Sequence, residues 1–328
     1  MKILFIGGTG NISAAVSRLL VARGNELHML TRGKRGATIP GAHSVAADIN
    51  NPAEIAPLLE AETWDAVVNW IAFRLPDVER DIALFRDRTR QYVFISSATV
   101  YQKPPMHPVI TESTPLGNPF WQYARDKIAC ELRLNEAFRE EAFPVTIVRP
   151  SHTYDTVIPL AIGGWEDYSI IARMQQGKQV VVHGDGTSLW TLTHSEDFAK
   201  GLAGLLGNPQ AVGHAFHITS DEVLSWNQIY GMVAEAAGAE ARIVHIPSDQ
   251  IVRLEPSLEG TLLGDKTHSA IFDNTKIRSF VPDYSATIPF REGIRRTLAW
   301  FEASPQRMKS SGETDRMLDR LIEAFGQA

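Results

Sequence analysis

The 328-residue chain has one cysteine, Cys130. No internal disulfide and no cysteine-rich zinc site can be built from it, so a reducing, cytosolic setting is expected. No stretch approaches the ~20 apolar residues of a membrane helix, and the apolar run in MKILFIGG stops at glycines too early for a signal peptide. There is no basic excess either. Thirty-two Lys and Arg against 38 Asp and Glu give a net charge of -6, which provides no footprint for nucleic acid or an anionic membrane. The ten histidines are scattered without ligand spacing, His214 and His217 included, so no metal is expected. Internal repeats and low-complexity tracts are also missing, which sets aside repeat and disordered architectures. What remains has the size of one large or two intimately joined domains, and points to a small-molecule partner.

Short apolar runs alternate with helix-like stretches through the first half. Strands are expected at Lys2–Ile6, Glu26–Leu30, His43–Ala46, Ala66–Val68, Tyr92–Ser96 and Val145–Val148. Helices are expected at Ile12–Arg23, Pro52–Leu59, Val78–Thr89 and Tyr123–Glu141. This rhythm predicts an α/β fold with a doubly wound parallel sheet, binding its ligand at the carboxyl ends of the strands. After Pro150 the rhythm breaks, with helices expected at 225–237, 287–302 and near the C-terminus, and a linker at Ser304–Gly312. We expect a dinucleotide-binding domain over 1–152 with a return segment at about 187–210. An interleaved substrate-binding region would take about 153–186 and 211–328.

The first strand runs into GGTGNIS. Gly7, Gly10 and Ser13 occupy the G-x-x-G-x-x-G positions between strand and helix. The first glycine permits the turn, the second lets backbone approach a pyrophosphate, and the helix N-terminus receives the charge. After the second strand, HMLTRGKRG has Thr31 where an NAD site places a carboxylate, followed by Arg32, Lys34 and Arg35. Cations without a carboxylate suit a 2′-phosphate, so NADP is the expected cofactor with Arg32 as main contact, and NAD the alternative.

YVFISSATVY ends a strand on Ser96 and Ser97, and FWQYARDKIACE opens a helix with Tyr123 and Lys127 on one face. A cation beside a phenol favours the phenolate, and a nearby serine hydroxyl could hold the substrate oxygen.

In that order, GGTGNIS, ISSATVY, YARDK, TIVRPSHTYD and HGDGTSLWTLTHSEDFAKG resemble the extended short-chain dehydrogenases/reductases, in their sugar epimerase/dehydratase branch. The resemblance implies Tyr123 as general acid/base and Ser97 as its partner. Lys127 would hold the nicotinamide ribose and lower the phenol's pKa. Gly7, Gly10, Asn11 and Ile12 fall on the pyrophosphate turn, with Asn11 in place of a usual aromatic. Asp48 and Ile49 match the adenine-contacting pair, and Ala72 the backbone flanking the adenine ribose. Pro150, Ser151 and His152 match the nicotinamide edge. A homodimer is implied as well.

Dehydratases of this branch usually carry acidic residues where Ala98 and Thr99 stand, so an epimerase or reductase is the expected chemistry. The arginine that nucleotide-sugar enzymes place in the later turn corresponds to Trp190, and a second falls near Leu262. Lys266, His268 or Arg173 could compensate. An indole offers one N–H donor and cannot replace a bidentate guanidinium, so a sugar-like substrate without a nucleoside diphosphate is expected. Phe73, Thr99, Tyr101, Trp165, Trp190 and His194 are its candidate contacts. Two alternatives stay open: a nucleotide-sugar epimerase/dehydratase, and a non-catalytic relative that senses NADP or binds RNA.

Overall fold

The computed structural model describes residues 1–33, 38–60 and 62–325. Lys34 and Arg35 therefore lie outside the described residues. Seven strands form the central sheet: β1 (Lys2–Ile6), β2 (Glu26–Thr31), β3 (His43–Ala46), β4 (Ala66–Asn69), β5 (Tyr92–Ile95), β6 (Val145–Arg149) and β7 (Ala215–His217). They run parallel in the order β7-β6-β5-β4-β1-β2-β3.

The two-residue period of a strand divides β1 between two cores. Ile3 and Phe5 face α1 (Ser13–Ala22) and the later helix α5 (Ser195–Leu205), packing with Val16, Leu20 and Phe198. Leu4 and Ile6 face α2 (Pro52–Glu60), α3 (Leu75–Phe85) and α4 (Gln122–Glu141), packing with Ile82, Phe85 and Leu134. Both faces are dry, which is why these strands are continuously apolar. Each fully buried Val, Ile, Leu or Phe contributes about 1.5–3 kcal/mol. A third core joins Trp190, Trp226, Tyr168, Phe301, Leu318 and Leu321 in the region that follows β6.

The chain leaves β1 toward β2 on one side and β4 on the other, opening a crevice at the carboxyl ends of these strands. The expected helix at 78–89 begins earlier, at Leu75, and stops at Phe85. Pro76 pre-sets its first turn, Asp77 accepts from the Phe73 and Arg74 amides, and Asp87 turns into the left-handed region at φ 61. The outermost strand, β7, falls in the stretch expected for the substrate region. The expected linker is bonded to the body: Lys309 accepts from the Tyr168 amide at 2.9 Å. Among the described residues no helix is long and apolar enough to cross a membrane.

Candidate active site

The end of β1 is tied to β2 by the Gly7 amide, which donates to the Leu30 carbonyl at 2.9 Å. Gly7 and Gly8 then take φ of 94 and 114, values that cost a side-chain-bearing residue. A Cβ on Gly8 would stand 3.0 Å from Met29 Cε. Gly10 donates its amide to Ser13 Oγ at 2.9 Å, just where α1 begins. The serine at the third motif position thus adds a hydroxyl that serves the turn. Asn11 donates Nδ2–H to the Thr153 carbonyl at 2.9 Å and accepts from the Thr156 amide at 3.1 Å. In place of an aromatic it stitches the glycine turn to the segment after β6.

Above this turn lies a cavity of about 1070 Å³, at the top of the usual range of ligand sites, about 300–1,000 Å³. One end is lined by Arg32, Asp48 and Ile49, the middle by Gly7, Gly10, Asn11 and Ile12, and the other by Ser97, Tyr123 and Lys127. Arg32 is exposed and makes no ion pair among the described residues. An added Cβ on Gly10 would meet only Ser13 Oγ, at 3.5 Å, so backbone is presented bare to a ligand. A glycine cradle on a helix N-terminus, continuous with a long cavity, fits a dinucleotide.

At the far end, β5 delivers Ser96 and Ser97, and α4 delivers Tyr123 and Lys127 one turn apart. The Ser97 hydroxyl accepts from the Thr99 amide and hydroxyl at 3.3 and 3.0 Å. Lys127 is buried, donating to the Ala72 and Ile95 carbonyls, each at 2.7 Å. Its ammonium sits 4.6 Å from the Phe73 ring centroid and 5.9 Å from that of Tyr123. Burial pushes Lys127 down to about 8. Burial also raises the Tyr123 phenol, with a Ser97 hydrogen bond pulling against it and the Asp265 charge adding to the rise. Burial thus favours the protonated phenol, and the expected lowering by Lys127 is not among the influences on it.

The Lys127 shift gives a signed prediction. Its pKa is lower folded than unfolded, so between about 8 and its ordinary value of 10.5 the unfolded chain binds the extra proton. Burying the cation therefore costs stability below pH 8, and that cost is released as pH rises. Activity that uses the ammonium should fall over the same interval. A pH–rate profile of kcat/KM should show a limb near 8 that moves upward in Lys127→Arg, read alongside urea unfolding at the same pH values.

The substrate-side wall is aromatic. Trp190 lines the cavity although it is only 2% exposed. Its Nε1–H is shared between the Lys266 and His268 carbonyls at 3.1 and 3.0 Å. The same Lys266 carbonyl accepts from Trp226 Nε1 at 3.1 Å and His183 Nε2 at 2.9 Å. Trp190 therefore offers only its ring. His152 packs between Trp165, at 5.7 Å, and Trp190 and Trp226, each at 6.2 Å. Burial drives its pKa well below the ordinary value, keeping the imidazole neutral. Phe73, Thr99, Pro150 and Trp165 complete the expected lining.

Three expected contacts lie elsewhere. Tyr101 is fully buried behind the site, its hydroxyl 3.0 Å from His217 Nδ1 and its ring under the Arg149 guanidinium. His194 caps α5, with Nδ1 accepting from the Glu196 amide at 3.3 Å. Ala72 turns its carbonyl to Lys127, so its neighbours Ile71 and Phe73 line the cavity instead. Of the possible compensating cations, Lys266 reaches the cavity, His268 lines a separate polar one, and Arg173 pairs with Asp315 and Asp319 and lines neither. The reading of single residues missed Asp265. A π-helical turn over Leu262–Lys266 brings it to the cavity beside Lys266, whose Nζ is 3.0 Å from its carboxylate. No periodicity in TLLGDKTHS announces such a turn.

One further group has metal-ligand chemistry. Glu26, His28 and His43 bring ligand atoms within 4.8 Å of one another at the amino end of the sheet, away from the cavity. The Lys2 ammonium lies 3.8 Å from the Glu26 carboxylate, which already answers part of its charge.

Comparison with known proteins agrees with this geometry. The model of the NAD dependent epimerase/dehydratase family matches residues 3–219. The 2′-dehydrokanamycin reductase of Streptomyces kanamyceticus is 29% identical over 250 residues, 76% of this chain and 70% of its own. The chloroplast stem-loop binding protein of 41 kDa b of Arabidopsis thaliana is 26% identical over 259 residues, 74% of this chain and 65% of its own. Among solved structures, the epimerase Mth375 of Methanothermobacter thermautotrophicus superposes with a TM-score of 0.75 at 18% identity, covering 93% of each chain. With its glycine turn, serine strand end and tyrosine–lysine helix on one cavity, the chain belongs to the NAD dependent epimerase/dehydratase family and is an NAD(P)-dependent enzyme of the extended short-chain dehydrogenase/reductase type.

Proposed function

We propose that the chain is an NADP(H)-dependent reductase or epimerase acting on a keto or hydroxyl group of a sugar-like substrate that carries no nucleoside diphosphate. The observation that carries this is the substrate-side wall. Where a diphosphate would need open cations, the wall presents indole rings, and the lysine that lines it, Lys266, is paired with Asp265 at 3.0 Å, a carboxylate that the buried Lys103 also approaches at 3.9 Å. The similarity to a reductase named for 2′-dehydrokanamycin supports a substrate of that kind.

The nicotinamide would supply or accept hydride at the substrate carbon when bound. Tyr123, whose burial favours the protonated phenol, is placed to give its proton to a forming alkoxide, or to take one from a hydroxyl in the other direction. Ser97 is placed to orient the substrate oxygen, and Lys127 to hold the ribose. Ala98 and Thr99 put no carboxylate beside Ser97, which argues against dehydration. We also propose a homodimer in the cytosol, which sedimentation at micromolar concentration would check for assembly and fractionation for location.

The test is a panel split into nucleotide sugars and free sugars or glycosides, with NADPH consumption and epimer formation followed separately. Activity confined to UDP- or dTDP-sugars would sink the substrate reading. RNA binding with no turnover on either set would sink the enzymatic one. For the cofactor, Arg32→Ala should weaken NADPH roughly 10- to 100-fold, the worth of one hydrogen bond to a charged group, with little change for NADH. Equal losses for both would mean that Arg32 does not read the 2′-phosphate.

A further inference from the structure

The loop that enters the substrate side is held open against its own backbone preference. Trp165 has φ 64, a conformation that a bulky residue keeps only when its surroundings impose it. It is also 49% exposed while lining the cavity beside His152. Two hydrogen bonds fix it: its amide donates to the Ile158 carbonyl and its carbonyl accepts from the Ile158 amide, each at 2.8 Å. Gly164 allows this closure, since a Cβ there would stand 2.5 Å from the Ile158 carbonyl oxygen.

What braces the loop comes from the end of the chain. Asp167, two residues after the tryptophan, accepts from the Ser169 amide and hydroxyl at 2.9 and 2.5 Å. The same carboxylate accepts from the Ser311 amide at 3.0 Å and the Thr314 hydroxyl at 2.5 Å. Thr314 belongs to the C-terminal helix Gly312–Phe325, and a Cβ on Gly163 would meet its methyl at 2.7 Å. Arg173 clamps the same helix through Asp315 and Asp319 at 2.6 and 2.7 Å, while Leu318 and Leu321 bury its apolar face. This helix lies beyond the span matched by the family model, 3–219.

We propose that Trp165 is a stacking platform for the C–H face of a neutral sugar-like ring, and that the C-terminal helix positions it through Asp167. The proposal rests on the sugar-like substrate reading above and adds where the ring lies and what sets its place. A pyranose presents an apolar face that packs on an indole. Because the backbone at Trp165 is strained, the indole stays over the cavity only while the loop is held. Asp167 touches no substrate and acts as a positioning residue.

The experiment uses the full chain saturated with NADPH and two probes, methyl α-D-glucopyranoside and methyl β-D-galactopyranoside. Saturation-transfer NMR should mark the ring protons of at least one glycoside. Trp165→Ala should weaken that glycoside about tenfold or more, with NADPH affinity unchanged, and Trp165→Phe should recover part of the loss. Asp167→Ala should weaken the glycoside comparably and speed amide exchange at Ile158 and Trp165. Asp167→Asn retains an acceptor oxygen and should restore both. Undiminished transfer in Trp165→Ala, no transfer to either glycoside in the unaltered protein, or unchanged exchange in Asp167→Ala would each overturn the proposal. Binding as expected without turnover of any sugar would instead remove the catalytic reading and leave the platform standing.

Discussion

Tyr123→Phe should cost roughly 10²–10⁴-fold in turnover, the usual worth of a positioned acid/base, while NADPH affinity stays within about twofold. The substitution removes one oxygen and leaves the ring that packs beside Trp121 and Phe73, so the cavity walls should hold. The geometry that makes the phenol useful is local to two elements. The α4 helix places Tyr123 one turn before Lys127, and the β5 end places Ser97 against it. Stopped-flow NADPH oxidation on whichever substrate the panel returns would measure the loss, with cofactor fluorescence titration as the control. Turnover above a tenth of the unaltered rate would remove Tyr123 from the chemistry.

The second large effect is on stability. Glu131, on α4, is completely buried, and both its oxygens are used: Arg149 donates Nε–H at 3.0 Å and Nη2–H at 2.6 Å, and Ser96 donates its hydroxyl at 2.5 Å. Glu131→Ala would leave the Arg149 guanidinium buried against the Tyr101 ring without its paired carboxylate. Breaking such a pair from one side costs about 3–5 kcal/mol, to be read from urea unfolding. Replacing both partners by apolar residues of similar volume is often neutral, so Glu131→Leu with Arg149→Met should regain most of that loss. A double variant as weak as the single one would mean that the lost packing, and not the stranded charge, sets the cost. Because Ser96 precedes Ser97, the single variant should also lower kcat.

The sheet was legible because its central strands are covered on both faces, so ILFI, AVV and YVFI read as unbroken apolar runs. Their pairing with glycine, serine and tyrosine–lysine motifs made one end of the crevice readable too. What could not be read depends on partners distant in sequence. Tyr101 has the same local setting as a pocket aromatic, and only Arg149 and His217, brought by β6 and β7, draw it inward. His194 looks like a substrate contact until the start of α5 claims its ring nitrogen. Asp265 reaches the cavity through a π-helical turn that no side-chain period encodes. At the other end, Asn11 was visible as a departure from the motif, but its two bonds to the 153–156 segment needed the fold.

The Lys266 carbonyl has a consequence for how this pocket could change over evolutionary time. Three ring N–H groups, from Trp190, Trp226 and His183, converge on a main-chain oxygen, and an oxygen of that kind survives any exchange of the side chain that bears it. The side chain itself is not free, because Lys266 and Asp265 are both buried and paired at 3.0 Å, and an acidic residue at 266 would set two carboxylates side by side. Shape and charge in the pocket are thus held by different atoms of one residue. A library varied at positions 265 and 266 together would alter the charge while keeping the main-chain acceptor that holds the wall.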